Sequence, residues 1–386
     1  MHLLGKIITT TLIITFLTIH SLSSSYAAVS TPPVLSAKSA ILIEAATGKV
    51  LYSKNSEERK YPASTTKMMT LITALEHGNP DDIVIASANA ANTEGSTLWL
   101  AQGEQQKMLD LLYGVMLVSG NDAAVAVAEH ISGSTDKFAA LMTTKAHAIG
   151  ASNTNFTNSS GLPDPKHYST ALDLSKIAAY GYKNPLFAEI VSTRSRTIPW
   201  PGKDHARALH SENRLLYTYE GGNGVKTGYT EAAGRCLVSA AKRDNIQLIA
   251  VVLDADTMWS DSIALLDYGF RQVKPAVLYQ QGDILKTVRI SNGKTGSVPL
   301  ALTDNVIVSV SDNDDDKFRT IIDAPASVEA PVVSGQKLGI VRVLYEDKEF
   351  ASIELVATKS VERKTFFGML WGTVWNFFTF LIKNFA

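Results

Sequence analysis

The stretch GNGVKTGYTEAAG, Gly222–Gly234, decides how this chain folds. It opens on closely spaced glycines, carries Lys226-Thr227-Gly228, and leads into two apolar segments, "RCLVSAAK" and "IQLIAVVLDA". Asp244-Asn245 joins those segments as a hairpin would, so the stretch reads as an edge strand with two strands beside it. The pattern "SDSIALLDYGF" then predicts a helix that packs back on them. Far upstream, "SAILIEAATGKVLYSKN" gives two more strands around a Thr47-Gly48 turn. Between the two groups the texture is helical. "PASTTKMMTLITALEHG" has Pro62 and Ser64 near its start and Gly78 as a stop, and "KMLDLLYGVMLV", "DAAVAVAEHI", "KFAALMTTKAHAIG" and "ALDLSKIAAYGY" follow. Strands from both ends enclosing a helical middle predict an α/β domain built on one sheet.

The Lys-Thr-Gly triplet returns at Lys294-Thr295-Gly296, directly after Asn292-Gly293 and between "TVRI" and "VPLAL". Asn-Gly between two strand patterns is a strong hairpin signal, so this copy reads as turn chemistry. It lies in a region of short strand patterns, from Asp283 to Thr358, that predicts a small all-β domain. The expected organisation is a signal peptide over 1–27, a catalytic domain over 28–275, a β-rich domain over 276–358 and an amphipathic helix over 359–386.

The chain has 386 residues, 45% of them hydrophobic, enough to bury a large core in two domains. With 36 Lys+Arg against 37 Asp+Glu, no basic surface points to nucleic acid. Lys6 precedes the apolar run "IITTTLIITFLTI", and Ser25 and Ala27 flank Tyr26 as a signal-peptidase site does. The expected mature protein is exported. Cys236 is the only cysteine, so no internal disulfide forms, and its apolar surroundings read as a buried, inert thiol. "DNDDDK", Asp312–Lys317, lacks the glycine of a calcium loop, and His205 and His210 lack metal-ligand spacing. No metal or cofactor is expected.

From Thr365 to Ile382 the chain carries no charge, yet Gly368, Gly372, Asn376, Thr379 and Lys383 form a small-and-polar stripe on an otherwise aromatic and aliphatic helix pattern. Such a helix is expected to lie in a membrane interface, with Arg363 and Lys364 near the headgroups, the alternatives being a strained bilayer span or a buried core helix.

Three short motifs carry chemistry. Ser64 and Lys67 stand one helical turn apart, which brings a hydroxyl and an amine to the same face. A serine hydroxyl needs a base, and a lysine whose pKa is depressed supplies one. Ser119-Gly120-Asn121 falls on a turn between two helix patterns, where a hydroxyl and a carboxamide point together into a cleft; Asn121 also reads as a helix cap. Lys226 adds positive charge that favours a neutral Lys67, Thr227 offers a hydroxyl to a substrate carboxylate, and Gly228 lets substrate backbone approach.

Ser-x-x-Lys, Ser-x-Asn and Lys-Thr-Gly in this order are the motif set of β-lactamases and penicillin-binding proteins. The chain resembles the low-molecular-weight penicillin-binding proteins that are serine D-Ala-D-Ala carboxypeptidases, from its exported N-terminus through "YPASTTKMMT", "VSGNDA", "NSSGLPDPKHYSTALDL" and "GNGVKTGYTEAAG" to the terminal helix. The resemblance implies a DD-peptidase/β-lactamase-like fold and hydrolysis of the terminal D-Ala-D-Ala bond of a peptidoglycan stem pentapeptide. It implies Ser64 as nucleophile, Lys67 as general base, Ser119 as proton relay and Asn121 as the residue orienting Lys67. The backbone N–H groups of Ser64 and Tyr229 would form the oxyanion hole, and β-lactam antibiotics would acylate Ser64. An arginine that holds the substrate carboxylate in well-known members is replaced here by Asp261, leaving Lys226 and Thr227, with Arg214 from "SENRLL", as candidates for that task.

A class A β-lactamase would need a glutamate in a stretch that has none between Glu129 and Glu189. An endopeptidase or transpeptidase acting on cross-links is chemically closer, and a non-catalytic wall-binding protein is the rival from another class.

Overall fold

The computed structural model describes residues 31–310 and 317–364. The expected signal peptide, most of the acidic run from Asp312, and residues 365–386 of the expected terminal helix lie outside them. A five-stranded antiparallel sheet runs in the order Val50–Lys54, Ser39–Glu44, Ile246–Leu253, Gly234–Arg243, Gly222–Thr230. Strands from the two ends of the domain meet at its centre, as the sequence predicts, and Gly222–Thr230 is an edge.

Both faces of this sheet are covered, which explains why "ILI" and "LIAVVL" are continuous apolar runs rather than alternating ones. Ile41, Val238, Ile249 and Val251 point to the helical middle and share a core with Met68, Leu71, Leu111 and Leu174. Leu42, Leu237, Leu248 and Val252 point the other way, against Leu265 and Leu266 of the helix Met258–Gln272. Each such buried aliphatic side chain contributes roughly 1.5–3 kcal/mol relative to exposure. The helical middle contains Lys67–His77, Met108–Leu117, Asn121–Ser132, Thr135–Ala148 and Ala171–Gly181. Thr170 caps the last of these by accepting from the Asp173 N–H.

From Lys274 the chain is β-rich, and a six-stranded sheet there has its own core of Val288, Val298, Leu300, Val341, Val343 and Leu355. The second triplet sits in the turn between the antiparallel strands Ile284–Ser291 and Ser297–Leu302. Asn292 adopts φ +56°, the left-handed conformation such a turn requires. Residues 359–364, expected to begin the amphipathic helix, are instead tied to the β-rich region. Val361 is buried and bridges Val332, and Arg363 bridges Gly293. Burial of Val361 in that core accounts for the difference. Among the described residues no helix is long and apolar enough to cross a membrane.

Candidate active site

The site is assembled on the turn that precedes the helix Lys67–His77. Ala63 adopts φ +47°, a left-handed conformation that costs roughly 1–3 kcal/mol and needs a surrounding structure to hold it. Ser64 follows in a tight 3-10 turn, Ala63–Thr66, and Lys67 opens the α-helix. Thr65 Oγ1 donates to Pro62 O at 2.6 Å, while Thr66 Oγ1 lies 2.8 Å from His167 Nε2. The Thr157 N–H donates to His167 Nδ1 at 3.1 Å, so the ring proton sits on Nε2 and goes to Thr66. Burial pushes the His167 pKa down to about 4, which keeps this brace neutral.

Lys67 is fully buried, and its Nζ lies 3.0 Å from Ser64 Oγ, 2.6 Å from Asn121 Oδ1 and 2.7 Å from Ser160 O. The two carbonyl oxygens can only accept. Burial first, and the Lys226 ammonium second, hold the Lys67 pKa well below the usual lysine range, against the pull of Glu212 and Asp122. A neutral amine that donates both N–H groups to Asn121 and Ser160 turns its lone pair to Ser64. The serine hydroxyl then donates to that lone pair, which is the arrangement a general base requires.

Asn121 does not cap its helix, contrary to the sequence reading. Gly120 is the capping residue, and the Asn121 amide is engaged elsewhere, its Nδ2 donating to Glu94 O at 2.6 Å while Oδ1 faces Lys67. Ser119, at φ +61°, lines the cleft beside it. Behind Ser64 runs the "SSGL" segment. A Cβ on Gly161 would stand 1.9 Å from Ala63 O, so only glycine lets this segment approach and offer Ser160 O to Lys67.

The opposite wall is the edge strand Gly222–Thr230. Lys226 is buried, with its Nζ 3.1 Å from Thr227 O, and burial pushes its pKa down to about 8 although Glu212 pulls it up. Thr227 Oγ1 donates to Glu212 Oε2 at 3.2 Å. A Cβ on Gly228 would lie 3.0 Å from Ser64 N, which measures how closely the strand and the serine turn meet. Between the walls is an open cleft of about 470 Å³ that Arg214, Tyr229, Arg235 and Trp259 also line. Its cationic groups outnumber the single carboxylate of Glu212, so it suits a ligand bearing a carboxylate. Among the described residues no group of three or more His, Cys, Asp or Glu side chains is placed to hold a metal.

The profile described as D-alanyl-D-alanine carboxypeptidase matches residues 26–257, more than half the chain. The chain belongs to that family. A second profile, penicillin-binding protein 5, C-terminal domain, matches residues 274–363. The chain is 37% identical to the D-alanyl-D-alanine carboxypeptidase DacF of Bacillus subtilis (strain 168), over 86% of this chain and 87% of the relative. It is 34% identical to DacA of Haemophilus influenzae, over 88% and 89%. Among solved structures it is similar to penicillin binding protein 5 from Haemophilus influenzae, with a TM-score of 0.61 and 29% identity over 86% of this chain and 99% of that one.

In this carboxypeptidase the structure brings Ser64, Lys67, Ser119, Asn121, Lys226, Thr227, Gly228, Tyr229 and Arg214 around one cleft. Arg214 lies with its guanidinium 5.6 Å from the Trp259 ring. Asp261 stands away from the reaction: it accepts from the Ser36 hydroxyl at 2.7 Å and the Ala37 N–H at 2.8 Å, tying the start of the domain to the helix Met258–Gln272. The sequence reading missed Arg235 and Glu212. Arg235 pairs with Tyr229 across the hairpin, so counting outward on both sides of the Glu231–Ala233 turn would have found it. Glu212 carries no local signal. Cys236 is buried and its thiol is pushed up to about 12, as an inert side chain should be.

Proposed function

We propose that Ser64 is the nucleophile through which this serine-type D-alanyl-D-alanine carboxypeptidase cleaves peptidoglycan stem peptides. The observation that carries the reading is the buried Lys67 amine, its two N–H directions committed to Asn121 Oδ1 and Ser160 O and its third to Ser64. Ser64 Oγ attacks the carbonyl of the penultimate D-alanine as its proton passes to Lys67. The C–N bond breaks as the proton held by Lys67 passes through Ser119 to the leaving D-alanine nitrogen, which returns Lys67 to its neutral form and leaves an ester to Ser64. Water then cleaves that ester, with Lys67 taking the water proton and returning it to Ser64. The N–H groups of Ser64 and Tyr229 receive the oxyanion, a contribution of roughly 10²- to 10³-fold per donor.

The terminal carboxylate of the substrate is held by Lys226 and Thr227, with Arg214 and Arg235 beside them in the same cleft. Penicillins place a carboxylate and a strained amide in the same relation and acylate Ser64. The protein is exported, and its terminal helix holds it on the outer face of the cytoplasmic membrane. Hydrolysis is favoured over action on cross-links by the family's carboxypeptidase relatives.

The test is free D-alanine released from a stem pentapeptide by the purified protein and by Ser64→Ala. Release is expected to vanish in the variant together with labelling by fluorescent penicillin. Release at the wild-type rate from Ser64→Ala would sink the assignment.

A further inference from the structure

Beside the cleft lies a second depression, of about 290 Å³, that the proposed reaction leaves unused. Leu98, Trp99, Val118, Trp200 and Leu209 are among its walls. Three chain segments pass from one site to the other. Ser96 lines the cleft and Thr97 the depression; Val118 lines the depression and Ser119 the cleft; Arg207–Leu209 line the depression shortly before Glu212 enters the cleft. The two sites are thus joined by three short stretches of chain.

Trp99 is 73% exposed and adopts φ +59°, an outlier for so bulky a residue. Several buried groups hold it there. The Asp122 carboxylate accepts from the Leu98 and Leu100 N–H groups, each at 3.0 Å, and from Thr97 Oγ1 at 2.6 Å. Arg207 Nη2 donates to Trp99 O at 3.0 Å, and Arg207 is itself fixed by Glu104 at 2.6 and 2.9 Å. The same guanidinium lies 4.5 Å from the Trp200 ring. A buried ion pair and a buried carboxylate thus hold an indole in water on strained backbone, and strain of this kind points to a function for the residue displayed.

The chemistry of the walls narrows the ligand. Arg207 is the only charged side chain among them, and Glu104 neutralises it. What remains are flat aromatic faces, aliphatic side chains and indole N–H groups, a surface for a neutral ring with an apolar face and polar edges. The stem peptide carries carboxylates that suit the cationic cleft; the sugar to which it is attached carries none that is free. We propose that this depression binds an N-acetylated sugar ring of the glycan strand bearing the stem peptide, stacked on Trp99 and Trp200. The proposal rests on the carboxypeptidase reading and extends its substrate from the peptide to the glycan-linked peptide.

D-Alanine release should be compared for a free pentapeptide and the same pentapeptide on its disaccharide, using wild type, Trp99→Ala and Trp99→Phe. The linked substrate is expected to have a kcat/KM roughly fivefold to tenfold higher in wild type, through KM. Trp99→Ala should erase that preference while release from the free peptide stays within about twofold, and Trp99→Phe should restore part of it. A wild type without preference, or a preference that survives Trp99→Ala, would overturn the sugar site. Should neither substrate release D-alanine, the hydrolase reading fails by itself. Quenching of tryptophan fluorescence by an N-acetylglucosamine tetrasaccharide then decides the sugar site: saturable in wild type and lost in Trp99→Ala if the site exists, absent in wild type if it does not.

Discussion

Lys226-Thr227-Gly228 and Lys294-Thr295-Gly296 place the same three side chains in opposite surroundings. Lys226 is 1% exposed, on an edge strand against the turn of Ser64, and burial moves its pKa down to about 8. Lys294 stands on a hairpin turn with its side chain 57% exposed, paired with Glu362 at the surface. A Cβ on Gly228 would press on Ser64 N, whereas one on Gly296 would meet nothing within 4 Å. The triplet therefore has no chemistry of its own. Burial and the close approach of the Ser64 turn set the first copy apart, and their absence leaves the second a solvated turn.

The sharpest way to break this contrast is to remove each lysine. Lys226→Gln is expected to lower kcat/KM for D-alanine release by roughly 10²- to 10³-fold, as removal of a buried charged donor does, and Lys294→Gln to leave it within about twofold. Equal losses would show that the two copies act alike.

A smaller effect follows from the glycines. Gly228→Ala should slow acylation by fluorescent penicillin by roughly 10- to 10²-fold, because a displaced Ser64 turn loses its attack geometry, while Gly296→Ala acylates at the wild-type rate. A Gly228→Ala protein that acylates normally would mean that the close approach is incidental.

The pH dependence refines the comparison further. Lys226 is protonated below about 8 and neutral above it, so in the proposed role carboxylate binding should be full on the acid side and lost as pH rises through that value. Lys67, as the proposed base, should work in the opposite sense: its depressed pKa leaves it neutral at higher pH, and activity is expected to fall as acid protonates it. The expected kcat/KM profile is a bell, with an alkaline limb of about tenfold per pH unit that Lys226→Arg removes, since a guanidinium keeps its proton. An alkaline limb unchanged in Lys226→Arg would assign it to another group.

What the sequence made legible was whatever is written locally. Ser64 and Lys67 lie one turn apart, the hairpins announce themselves at Asp244-Asn245 and Asn292-Gly293, and the doubly buried sheet shows as unbroken apolar runs. What stayed hidden depends on distant parts of the chain. Ser160 reaches Lys67 through a backbone carbonyl, which has no side-chain signature, across 93 residues. Arg207 finds Glu104 across 103 residues, and nothing near either marks the pairing. Asn121 looked like a cap because its neighbours form a helix start; its actual partners, Lys67 and Glu94, are visible only once the helices pack.

Burying two lysine amines in one site also joins folding to proton release. In the unfolded chain Lys226 keeps its proton up to about pH 10.5, and in the folded chain only to about 8. Because that pKa is depressed on folding, the unfolded state binds the extra proton between those values, and folding grows more favourable as pH rises across them. The stabilisation is complete only above the unfolded value and has been lost once pH falls through the folded one. Lys67 shifts in the same direction. At neutral pH Lys226 is therefore buried with its proton, at a cost to folding that the apolar packing on both faces of the sheet offsets.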